Sequence, residues 1–127
     1  MFDYTVTTKK SVNKAIQSLE EVLKEDQFGV LWNFDIRETL GKKGFEYDQE
    51  FHVLEVCNPG SAKEVLTNNH MAGYFLPCKI VVYEHEGTTH IGMPRPKKLI
   101  ELTGDHSLDE FAEDIEKRLV SAMDKAK

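Results

Sequence analysis

The chain is poor in the residues that announce a chemistry. It has two cysteines, one tryptophan and four prolines in 127 residues. Two cysteines spaced 21 positions apart, with no C-x-x-C and no H-x-x-x-H, lack the ligand spacing of a structural zinc site. No serine sits in a G-x-S-x-G elbow, and Gly41-Lys42-Lys43-Gly44 lacks the phosphate-loop spacing. No apolar run approaches the ~18 residues of a membrane span. The N-terminal MFDYTVTTKK lacks the basic-then-apolar order of a signal peptide. These absences point to a cytoplasmic protein without a membrane partner, and to reduced thiols rather than a disulfide.

Basic residues are outnumbered as well. Sixteen Lys and Arg face 22 Asp and Glu, a formal net charge of −6. A surface of that sign repels phosphate backbones, so nucleic acid is not expected as a partner. A length of 127 residues fits one domain, spanning 1–127, with a core large enough to need no staples. No repeat, linker or low-complexity tract divides it.

What is present is patterned. Phe2, Tyr4 and Val6 alternate with Asp3, Thr5 and Thr7, the signature of a half-buried strand. Ser11 caps a helix whose apolar set is Val12, Ala15, Ile16, Leu19, Val22 and Leu23. Gly29 opens a second strand, in which Val30, Trp32, Phe34 and Ile36 alternate with Leu31, Asn33 and Asp35. A short helix or turn over Arg37–Lys43 ends at Gly44.

Most of the remaining signals fall between His52 and Pro96, a stretch that holds both cysteines, all four prolines and four of the five histidines. Phe51–Cys57 reads as a strand buried on both faces, stopped by Asn58-Pro59-Gly60. Asn58 or Ser61 caps the helix that follows, with Pro59 in its first turn. Leu76-Pro77 leads into a strand over Cys78–Glu84, and Glu86-Gly87 turns it back into Thr88–Met93. Taken as a parallel crossover, Phe51–Glu84 would leave Cys57 and Cys78 about 20 Å apart. That is beyond the ~7 Å between Cα atoms that a disulfide tolerates.

A two-residue turn at Glu86-Gly87 pairs His85 with Thr88 and Tyr83 with His90. Alternation then puts Cys78, Ile80, Val82, Thr89, Ile91 and Met93 on a core face. Lys79, Val81, Tyr83, His85, Thr88 and His90 share the other. This second face is the candidate ligand-binding surface, with Tyr83, His85, His90 and Lys79 as its residues. Three readings fit it: a solvated face, a subunit junction, or a ligand or metal site. As metal ligands, His85 and His90 are diagonal neighbours, ~7–8 Å apart at Cα, and need further ligands.

Beyond Pro94 and Pro96, Leu99, Ile100 and Leu102 suit a short helix or an edge segment. Ser107 and Glu110 form an S-x-x-E capping box. They introduce a closing helix with Leu108, Phe111, Ala112, Ile115, Leu119, Ala122 and Met123 on one face. The order β-α-β-(short α)-β-α-β-β-α is that of a two-layer α+β sandwich, with a mixed or largely antiparallel sheet and helices on one side.

VLEVCNPGSAKEVL, the Leu76-Pro77 step, IVVYEHEG and the proline after the next strand recur in fixed order in a known family. With these landmarks the chain resembles the domain-of-unknown-function 302 family over nearly its whole length. The resemblance implies a compact dimeric α+β domain. It brings no established activity, no cofactor and no catalytic residues. Two classes of function therefore stand open. One is a homodimeric, non-enzymatic module that binds a small ligand or metal ion at its open sheet face or subunit junction. The other is a small thiol-dependent enzyme or redox protein, with Cys57 beside a helix N-terminus as its reactive group and Cys78 as the second thiol.

Overall fold

A computed structural model of the chain describes residues 1–127. Five strands form one antiparallel sheet: β1 (Asp3–Thr8), β2 (Gly29–Asp35), β3 (Phe51–Cys57), β4 (Cys78–His85) and β5 (Thr88–Pro94), in the order β1-β5-β4-β3-β2. The helices are α1 (Val12–Glu25), α2 (Ile36–Lys42), α3 (Pro59–Asn68), α4 (Pro96–Glu101) and α5 (Asp109–Ala126). Short 3-10 turns at His70–Tyr74 and His106–Leu108 join them. This is the expected α+β sandwich, and its sheet is antiparallel throughout.

The long helices form because their apolar residues recur at spacings of three and four. Ser11 accepts from the Lys14 amide and so caps α1. Val12, Ala15, Ile16, Leu19 and Leu23 then lie buried against the sheet. On α5 the buried set is Ala112, Ile115, Leu119, Ala122, Met123 and Ala126. Across from them lie Leu54, Val56, Ile80, Val82 and Ile91, none of which retains exposed surface. Cross-links fix the helical layer. Arg118 grips Asp26 through Nε and Nη2, at 2.8 and 3.0 Å, while stacking over Phe28. Arg95 reaches Glu116 at 3.2 Å, and the Tyr4 hydroxyl donates to Asp124.

The hairpin takes the expected register, with Tyr83 opposite His90 and His85 opposite Thr88. Glu86 and Gly87 both have positive φ, 52° and 78°, the backbone of a type I′ turn. Leu99 and Ile100 belong to α4, which settles the segment as helix.

Three expectations are corrected. First, the S-x-x-E pair does not cap α5. Asp105 accepts from both the Ser107 amide and its hydroxyl, at 2.9 and 2.7 Å. Ser107 is thereby spent inside a 3-10 turn, and α5 starts at Asp109 with no side-chain cap. Second, β3 is buried on one face only. His52, Leu54 and Val56 are covered, whereas Phe51, Val53, Glu55 and Cys57 are half-exposed. Third, β3 and β4 are antiparallel, not a parallel crossover. α3 carries a single buried residue, Val65, too narrow a stripe to cover a sheet. It therefore lies at the end of the sheet, and the chain re-enters beside the strand it left.

That reversal brings the cysteines to one end. Cys78 pairs with Val56, the residue before Cys57, and both thiols line one small recess beneath Phe111 and Ile115. Both remain free.

Two tests follow. Ile80→Ala should cost about 2–5 kcal/mol of stability as a buried large-to-small change. Its exposed neighbour Lys79→Ala should stay within about 0.5 kcal/mol. Denaturant midpoints with unchanged slopes would show the alternation, and equal losses would contradict it. For the thiols, denatured and unreduced protein should titrate two equivalents. In the folded protein Cys57 should be alkylated before Cys78, and no titratable thiol would overturn the assignment.

Candidate functional site

The sheet has one face under helices and one without them. The uncovered face is built by alternation along β3, β4 and β5, which sends Phe51, Val53 and Glu55, then Lys79, Val81, Tyr83 and His85, then Thr88 and His90 to the same side. The ligand-surface residues Tyr83, His85, His90 and Lys79 are thus all on it, as alternation required.

Within that face the residues do not form one cluster. Tyr83 stacks on Phe51 on one side, with centroids 4.9 Å apart and planes 8° from parallel. His90 stacks on its other side at 4.9 Å and 4°. His85 leans over His90 at 6.3 Å and 57°, and its Nε2 lies 3.7 Å from Glu86. The result is a continuous ladder, Phe51–Tyr83–His90, across three strands. Lys79 stands apart, four residues down β4, opposite Glu55.

Edge strand β2 extends the aromatic surface through an irregularity. Val30 is opposite Val56, but Trp32 is opposite Glu55, so Leu31 is an extra residue in a β-bulge. The bulge shifts the alternation by one position. Val30 stays on the covered side, while Trp32 and Phe34 emerge on the open one. There they stack at 5.1 Å, and Trp32 keeps 53% of its surface exposed. The same shift turns Asn33 and Asp35 toward His52. The buried His52 ring has Nδ1 2.8 Å from the Asn33 amide oxygen and Nε2 3.8 Å from Asp35. At the far edge, Gly92 lies between Thr5 and Val81 in the register. A Cβ there would meet the Thr5 hydroxyl at 2.8 Å, so glycine lets that side chain lie across the strand.

Sequence reading found Tyr83, His85 and His90 but missed Trp32, Phe34 and Phe51 as their neighbours. Phe51 was within reach, since antiparallel pairing of β3 with β4 would have placed it beside Tyr83. Trp32 and Phe34 were not, because nothing in GVLWNFD marks Leu31 as the extra residue.

No group of three or more His, Cys, Asp or Glu side chains within the chain is placed to hold a metal ion. His85 and His90 therefore supply two ligands at most per chain. The thiols are shifted away from reactivity. Burial pushes Cys57 up, and burial followed by the neighbouring Cys57 pushes Cys78 up to about 11. Thiolate chemistry needs the opposite shift.

A second feature lies at the end of the sheet where β4 begins and β5 finishes. There α4, α5 and the segment Tyr74–Pro77 line a largely apolar pocket, open to solvent on one side, of about 570 Å³, inside the usual range for small-molecule sites. Met93, Ile100, Phe111 and Ile115 are among its walls, and Glu55 and Lys79 are its charged lining groups. No helix is long and apolar enough to cross a membrane.

Comparison with known proteins accords with this architecture. No curated protein matches the chain. The crystal structure of an uncharacterized conserved protein DUF302 from Bacillus stearothermophilus superposes with a TM-score of 0.96 at 49% identity, covering 100% of this chain and 99% of that one. The family model for the domain of unknown function DUF302 matches residues 4–126. The chain belongs to the DUF302 family.

Proposed function

We propose that the protein is a non-enzymatic binding module that acts as a homodimer, with the second copy seated on the aromatic part of the open sheet face. The observation that carries this reading is the ladder Phe51–Tyr83–His90, flanked by stacked Trp32 and Phe34. Flat, rigid aromatic side chains lose little conformational entropy on burial and are enriched at interface centres. Four aromatic rings and an imidazole, in two stacked groups on one uncovered sheet face, make a surface of the kind that marks an interaction site. The raised thiol pKa values support binding over thiol catalysis.

A small ligand or metal ion is then held at the face or at the junction. Two imidazoles per chain, His85 and His90, become four when a two-fold axis passes beside them. Neutral imidazole is a good ligand for zinc, nickel and copper. Such a site would exist only in the dimer.

Light scattering at tens of micromolar should give twice the 14.6 kDa chain mass. Tyr83→Glu should return it to one chain mass with an unchanged circular dichroism spectrum, by placing an unpaired charge at the centre of the interface. A monomer mass for the unaltered protein would sink the reading. For the metal, zinc titration by calorimetry should show binding at neutral pH that vanishes in the His85→Ala/His90→Ala double variant while the dimer persists. Equal binding by both proteins, or none tighter than millimolar, would remove it.

A further inference from the structure

Beside the aromatic ladder, the open face carries a row of a different kind. Trp32 on β2 is opposite Glu55 on β3, and Glu55 is opposite Lys79 on β4. Direct partners share a side of the sheet, with Cβ atoms ~4.5–5.5 Å apart. An indole, a carboxylate and an ammonium therefore stand in one line across three strands. A row of Phe34, Val53 and Val81 separates them from Phe51, Tyr83 and His90. Neither Glu55 nor Lys79 is within ion-pair distance of any charged side chain. Phe34, two residues along β2, covers one face of the indole at 5.1 Å and 14°. The opposite face has no aromatic partner, and Trp32 keeps 53% of its surface exposed.

We infer that this row binds a flat heterocycle of the 2-amino-4-oxopyrimidine class, the ring edge shared by guanine and the pterins. The ring stacks on the free face of Trp32, Glu55 accepts from its two adjacent N–H groups, and Lys79 donates to its carbonyl oxygen. The indole selects a planar ring, because unstacked bases and similar rings stack on exposed aromatic side chains. The charged pair selects the edge. A carboxylate only accepts, through two oxygens, and an ammonium only donates. The edge that satisfies both presents two donors in a row and then an acceptor. Guanine and pterin carry that order as amino N–H, ring N–H and carbonyl oxygen. Adenine offers one donor beside a bare ring nitrogen, which a carboxylate repels. Cytosine has one donor beside two acceptors, and uracil has one donor between two acceptors. Charge-assisted hydrogen bonds are the strong ones, so these mismatches weigh heavily. The net charge of −6 disfavours a phosphate backbone, which makes the ligand a small molecule and not a strand. No bond is made or broken. The site rests on the binding-module reading and gives its small ligand a class. The free indole face is turned away from Phe34 and the ladder, at the border of the dimer contact, so the site needs no second copy.

Trp32 is the only tryptophan in the chain, so its fluorescence reports this site alone. Guanosine, inosine, adenosine and biopterin are each titrated into the full-length protein at neutral pH. Binding is followed by calorimetry and, for the nucleosides, by quenching of Trp32. Guanosine should bind and quench. Inosine lacks the amino group and should bind about tenfold weaker, the loss of one charge-assisted hydrogen bond. Adenosine should bind more weakly still. Biopterin should bind as well, and the tighter of it and guanosine identifies the source of the ring. Glu55→Gln should bring guanosine and inosine to equal affinity. Lys79→Met should weaken both by the same factor, about tenfold, because both keep the carbonyl oxygen. Trp32→Leu should abolish the heat of binding for every probe. If Trp32→Leu does not fold, the two charge variants on the open face still decide the matter. Equal affinity for guanosine, inosine and adenosine would show bare stacking on an exposed indole and overturn the inference. A guanosine preference that survives Glu55→Gln, or neither heat nor quenching at millimolar probe, would overturn it as well. Light scattering on the same samples reports the subunit mass, so a failure here is separable from a failure of the dimer.

Discussion

Everything in this molecule depends on one apolar contact, the layer of α1 and α5 lying on β3, β4 and β5. Leu19 and Leu23 from one helix and Leu119 and Met123 from the other meet Leu54, Ile80, Val82 and Ile91, all with 0–1% of their surface left exposed. Burying a side chain of that size contributes about 1.5–3 kcal/mol, so this group outweighs any surface ion pair, each worth about 0–1 kcal/mol. Because strand side chains alternate, filling one face commits the other to openness. The aromatic face is thus a geometrical consequence of the core.

The bulge at Leu31 decides what that open face contains. In regular alternation Trp32 would share a side with Val30 and lie beneath the helices. One extra residue reverses this. Trp32 and Phe34 go to the open face, and Asn33 and Asp35 turn to the side of a histidine that needs polar partners. Burying His52 without them would leave an unsatisfied ring nitrogen at about 1–3 kcal/mol. The bulge therefore serves both sides of the sheet. It also disrupts the regular hydrogen-bond ladder of an edge strand, a known device against unwanted edge pairing.

Legibility from sequence followed the range of the interactions involved. The helices α1 and α5, the Ser11 cap and the Glu86-Gly87 turn are set by residues within one or two turns of each other, and they were readable. The inward and outward faces of β4 and β5 were readable too, since a two-residue turn fixes register. Strand direction for β3 and β4 was not, because a helix between two strands is compatible with either sense. Here the deciding fact is that α3 has one buried residue, which only the tertiary structure reveals. The Ser107 cap was lost to a similar competition, since Asp105 is closer to the Ser107 amide than any helix turn could be. Phe51 escaped notice because its neighbour Tyr83 lies 32 positions away in the chain.

The end of the sheet reached by α3 and α4 is built differently from the centre. Its small core consists of Val65, Ala72, Ile100, Leu108 and Ala112, two of them alanines. The elements around it are short: α4 has six residues and the preceding 3-10 turn has five. Small side chains on short elements cannot fill the space between a sheet end and a long helix, and the cavity lies in that gap. Regions with few buried apolar contacts open at lower free energy than the core. The molecule therefore joins a rigid sheet to a looser corner.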